Sequence, residues 1–148
     1  LAKHEDSVTA RFKEYADEWR HCVGLSDQII AEQIRADKID ILVDTAGHTG
    51  NNGLPIFALK PAPVQVSWWM GFAYGTGIKA VDYFLADHEM LPEGCEPYFA
   101  ERPWRMSGIS VAYKPVDVMG KTSELPALNN GFITCYRSFS IRFRSIHH

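Results

Sequence analysis

Cysteine is scarce in this 148-residue chain: Cys22, Cys95 and Cys135 are an odd count with no C-x-x-C spacing. That pattern excludes a disulfide scaffold and a zinc knuckle and fits a reducing compartment, so a cytoplasmic location is expected. Long apolar runs are missing as well. Nothing approaches the roughly 20 residues of a membrane span, and the opening LAKHEDSVTARF has no signal-peptide core, so a soluble chain is expected. Nor is there an excess of positive charge. With a net charge of −3 and no basic stripe, the electrostatic footprint of a nucleic-acid binder is absent. His88 next to Glu89 is not a ligand set, and no metal is expected.

A phosphate-cradling P-loop is also lacking. The stretch ILVDTAGHTG (41–50) ends an apolar run in D-x-x-G, as a GTPase does, but a GTPase needs G-x-x-x-x-G-K-[ST] upstream. Gly120-Lys121-Thr122 lies downstream, follows no strand pattern, and has Pro115 where the first glycine belongs. A nucleotide switch is therefore excluded, and another reason is needed for Asp, Gly, His and Thr at a strand end.

What is present is α/β patterning. Val8, Phe12, Tyr15, Ala16 and Trp19 recur at helical spacing behind Asp6-Ser7, predicting a helix over 6–20 whose stripe covers a sheet. A second helix is expected over 26–37 behind Ser26. Three branched apolar runs then predict strands at 39–44, 63–68 and 81–87, with a helical stretch LPIFALK between the first two. Strands alternating with helices imply a parallel sheet, wound right-handed and covered on both faces. From Glu93 to Met106 one helical turn and a short strand are expected. Residues 1–110 then form a partial Rossmann-like domain, 111–125 a linker, and 126–148 a tail or the start of a second domain, with GFITCYRSF (131–139) as a strand.

In such a sheet the ligand crevice lies beyond the carboxyl ends of the strands. Three loops converge there: DTAGHTGNNG (44–53), WMGFAYGTG (69–77) and DHEMLPEG (87–94). Their glycines allow close backbone approach to a ligand, or simply tight turns. His48 is the candidate acid/base, since imidazole titrates near neutrality; a lone loop histidine is otherwise a surface group. Thr49 either donates to a sugar or phosphate oxygen or caps the following helix. Asp44 and Asp87 either act as a carboxylate pair or bond nearby loop N–H groups. Trp68 suits the core, whereas Phe72 and Tyr74 could stack on a ring.

The segments IDILVD-x-x-GHT, FAL-x-PAPVQVSW, DYFLAD and YFAERPWR, spread over most of 30–106, resemble the catalytic region of the O-linked N-acetylglucosamine transferase and SPINDLY family. The resemblance implies the first of two Rossmann-like domains of a GT-B glycosyltransferase. It further implies sugar transfer from UDP-N-acetylglucosamine, or GDP-fucose in the SPINDLY branch, to Ser or Thr of proteins, with no cofactor and no metal. Gly47, His48, Thr49, Met70, Gly71, Phe72, Tyr74 and Thr76 match family segments facing the interdomain cleft. The turn after Trp68 departs from the family's usual form in carrying Trp69 and Ala73-Tyr74. The likeness begins after the family's first strand and its histidine-bearing loop and stops where the second domain starts, so no turnover by these residues alone is expected. The alternative is a non-catalytic module that oligomerises through an exposed sheet edge.

Overall fold

The computed structural model describes residues 5–68, 75–111, 120 and 123–133. The chain divides into two compact units, Leu1–Ala112 and Tyr113–His148.

The first unit is a four-stranded parallel sheet in the order β1-β2-β3-β4, with β1 Ile41–Asp44, β2 Val64–Ser67, β3 Tyr83–Asp87 and β4 Arg102–Met106. Helix α1 (Ser7–Tyr15) starts on Asp6, whose carboxylate accepts the Thr9 N–H at 2.8 Å. It ends five residues before the expected position. Asp17 and Glu18 would put negative charge at the negative end of the helix dipole, which opposes extension. Trp19 instead lies under the Lys13 ammonium, 5.5 Å from its ring centre. No residue of α1 is buried, so its apolar stripe covers no sheet, contrary to expectation.

Helix α2 (Asp27–Ala36) starts on Ser26 and ends in a Schellman turn. The Ile39 N–H donates to Ile34 O and the Lys38 N–H to Arg35 O, with Lys38 at a left-handed φ of 54°. Between β1 and β2, Pro55 sits in the first turn of the short helix α3 (Leu54–Ala58). Ile30 and Ala31 of α2 pack with Ile56 of α3 in one apolar cluster, and Phe84, Ala86 and Leu91 form another under Phe99.

Gln65 joins the layers. Its buried amide donates to Phe57 O at 2.9 Å and Ala80 O at 2.8 Å, tying the end of α3 and the approach to β3 onto the central strand. The register puts Gln65, Phe84 and Arg105 on that covered face and Ile41, Val43, Tyr83, Leu85 and Trp104 on the other. Ile41 is 60% exposed, Val43 45% and Trp104 53%, so the sheet is not covered on both faces by the described residues. The physical reason lies in the crossovers. Between β2 and β3 the described residues form no helix, and between β3 and β4 there is only a 3₁₀ turn, Glu96–Tyr98.

In the second unit a five-residue helix, α4 (Pro126–Asn130), closes on Gly131 at φ 73°. The sequence reading does not anticipate it. Beyond its first three residues, the strand expected at 131–139 lies outside the described residues.

Candidate functional site

The three expected loops follow the carboxyl ends of β1, β2 and β3, and a set of carboxylates fixes them. Asp44, the last residue of β1, is buried. It accepts the Ala46 N–H at 3.1 Å, the Gly47 N–H at 3.0 Å and the Ser67 hydroxyl at 3.3 Å. It therefore folds the loop back on itself and joins β1 to β2, with Gly47 in the left-handed region at φ 50°. Thr49 donates its hydroxyl to Ala46 O at 2.8 Å. It does not cap α3, whose N-cap is Gly53 with no side-chain bond; the turn before the helix is closed by Asn52, whose side-chain oxygen accepts the Leu54 N–H at 3.0 Å.

The bend places His48 at the surface with its Nε2 3.2 Å from the carbonyl oxygen of Gly75. The first two loops, 27 residues apart in sequence, are thus joined through an imidazole. Thr76, next to that carbonyl, is buried. Its N–H donates to Glu101 Oε1 at 2.5 Å and its hydroxyl donates to the same oxygen, leaving the hydroxyl oxygen to accept the Ile78 N–H. Met70, Gly71, Phe72 and Tyr74 lie outside the described residues.

Asp87, at the end of β3, accepts the Met90 N–H on one oxygen and both the Ser110 N–H and hydroxyl on the other. These bonds, the Ser110 N–H foremost, hold its carboxyl down to about 2. Asp44 and Asp87 do not form an acid/base pair; each ties its own loop. The Trp68 indole N–H donates to Ser110 O at 3.2 Å, so the end of β2 is tied to the same stretch. Above the ends of β3 and β4 a hollow of about 250 Å³ is lined by His88, Glu89, Met106 and Ile109 among others.

A larger hollow, about 530 Å³, lies at the opposite, amino-terminal edge around Lys79, Asp82, Tyr83 and Arg102. It is open, and the Asp82 carboxylate there is already taken by Lys60 at 2.5 Å and the Gln65 N–H at 2.7 Å. The carboxyl-end loops remain the better candidate because the ligand crevice of an open parallel sheet lies beyond the carboxyl ends of its strands, where His48 and Gly75 meet. Among the described residues no group of three His, Cys, Asp or Glu could hold a metal ion.

Sequence reasoning singles out His48, Gly47 and Thr76 but misses Glu101. No local pattern marks a glutamate one residue ahead of a strand, and its partner is 25 positions away.

Comparison with known proteins agrees with the family resemblance. The model of glycosyl transferase family 41 matches residues 2–107. The chain is 38% identical over 133 residues to the "Probable UDP-N-acetylglucosamine--peptide N-acetylglucosaminyltransferase SPINDLY" of Arabidopsis thaliana, covering 87% of this chain and 14% of that protein. The SPINDLY protein of Eustoma exaltatum is 37% identical with the same coverage. Among solved structures, an O-GlcNAc transferase mutant from Thermobaculum terrenum superposes with a TM-score of 0.73 at 35% identity, covering 82% of this chain and 23% of that one. The chain thus spans about a seventh of the length of the curated relatives it matches.

Proposed function

The chain belongs to glycosyl transferase family 41, and on that premise we propose that it forms part of the first cleft wall of a GT-B enzyme that moves N-acetylglucosamine from UDP to protein Ser or Thr hydroxyls. The observation that carries this reading is the imidazole of His48, held at the carboxyl ends of the strands by the neighbouring loop. In the transfer, the acceptor oxygen bonds to the anomeric carbon and the bond from that carbon to the diphosphate breaks. The electron pair leaves with the nucleoside diphosphate, and the hydroxyl proton passes to a base. His48 is this chain's candidate for that base, a role worth about 10²- to 10⁴-fold in rate.

Such an enzyme orients donor and acceptor between two walls and aims hydrogen-bond donors at the departing diphosphate. One wall does neither. The polypeptide of these 148 residues is accordingly expected to stay at background in radiolabelled transfer from UDP-N-acetylglucosamine or GDP-fucose to a Ser/Thr peptide. Turnover by it that His48→Ala abolishes would refute this. Grafted into a complete family member, residues 5–111 are expected to sustain transfer, and His48→Ala in the chimera to lower kcat. A chimera that folds but is inactive overturns the site assignment, and one that prefers GDP-fucose corrects the donor.

A second reading has its own support in the uncovered sheet face at Ile41, Val43 and Trp104. Exposed apolar side chains on the two edge strands, with Val66 buried between them, favour association at the edges, so self-assembly is the alternative role of the isolated chain.

A further inference from the structure

Glu101 is the least expected group near the candidate base. It is only 3% exposed, and its Oε1 accepts two bonds from Thr76 while Oε2 has no hydrogen-bond partner among the described residues. A carboxylate buried with one oxygen unpaired costs stability. A Cβ at Gly75 would come within 2.6 Å of that Oε2 and 3.1 Å of Phe99, so only glycine permits this approach.

The Thr76 N–H and the Gly75 carbonyl belong to one peptide group. Because that group is planar and trans, its N–H and C=O point in opposite directions. Glu101 holds the N–H end and His48 Nε2 lies at the carbonyl end. Fixing one end therefore fixes the other, and a bond to the N–H also polarises the carbonyl into a stronger acceptor. A carbonyl oxygen has no proton to give. The proton in its bond with His48 must come from Nε2, which leaves Nδ1 of the neutral ring with the free lone pair.

We infer that Glu101 is a positioning residue that, through the peptide group between Gly75 and Thr76, holds His48 as its Nε2–H tautomer and leaves Nδ1 as the proton-accepting atom. This goes beyond the transferase reading, which it rests on only for the use made of that atom.

The test reads the ring directly, by nitrogen-15 NMR of the 148-residue chain at about pH 9, where free imidazole is neutral. Expected in the unaltered protein are one tautomer, with the proton on Nε2, and protection of that proton from exchange. Glu101→Gln retains an acceptor oxygen and is expected to keep both features. Glu101→Ala is expected to reduce the protection by about tenfold, as the loss of one net hydrogen bond would, and to return the ring to a tautomer mixture. If Glu101→Ala does not fold, Glu101→Asp, which withdraws the oxygens by one methylene, is expected to give the same loss. A proton on Nδ1 in the unaltered protein, or ring signals unchanged in a folded Glu101→Ala or Glu101→Asp variant, overturns the inference. Since no sugar transfer is measured, failure here and failure of the transferase reading are told apart.

Discussion

One oxygen of the Asp87 carboxylate accepts both the backbone N–H and the hydroxyl of Ser110, at 2.9 and 2.8 Å. The carboxyl is held near 2, below its ordinary 3.8. A depressed folded value means that the stabilisation is complete above the ordinary value and disappears as pH falls through the folded one. Thermal melts of the protein and of Asp87→Asn should therefore differ most at about pH 6 and converge only below about pH 2. A gap that stays constant across that window would show that the folded Asp87 carboxyl is not lowered.

Lys38 and Lys60 both adopt positive φ, 54° and 47°, just past the ends of α2 and α3. Left-handed backbone costs a residue with a Cβ about 1–2 kcal/mol, while glycine bears the smaller entropic cost. Lys38→Gly is expected to raise the unfolding free energy by about 1 kcal/mol, visible as a higher Tm. Lys60→Gly is not expected to give that gain. It loses the ammonium contacts to Ala80 O and Asp82. A pair of equal shifts in calorimetry would contradict this account.

Gln65 is the third test. Replacing it with Leu keeps the volume but takes one of two donors from each of the carbonyls of Phe57 and Ala80, which keep the N–H and the ammonium of Lys60 respectively, an expected loss of about 1 kcal/mol in urea unfolding. Relief of Gln65 Oε1, which has no partner among the described residues, offsets part of this. A Gln65→Leu variant as stable as the parent would mean that the bonds from Lys60 alone suffice for those carbonyls.

On the uncovered sheet face, Trp104 meets Tyr83 edge-on with ring centres 5.4 Å apart. If this face drives self-association of the isolated chain, Trp104→Lys together with Val43→Lys should shift sedimentation towards monomer at tens of micromolar. A parent chain that is already monomeric at that concentration removes the second functional reading.

The strands were legible where branched apolar residues cluster. β1 and β2 fall inside the expected 39–44 and 63–68, and β3 inside 81–87. The end of α1 was not, because Trp19 continues the helical spacing while two acidic residues before it stop the helix. Periodicity also could not tell that Ile41 and Val43 would lack a cover, since burial of a sheet face depends on where distant elements pack. In the candidate site, His48 and the glycines stand out by residue type. The roles of Glu101 and Asn52 arise from partners that only folding brings together or orients.

The strand order β1-β2-β3-β4 has one more consequence. Among the described residues each strand pairs only with its immediate predecessor or successor in the chain, so every new ladder closes a short loop instead of reaching across the sheet. Parallel sheets ordinarily fold slowly because their pairings are remote in sequence and the closure entropy comes first. Here each pairing joins strands that follow one another, so the sheet can grow strand by strand in the order in which a ribosome delivers it, each strand finding its neighbour already in place.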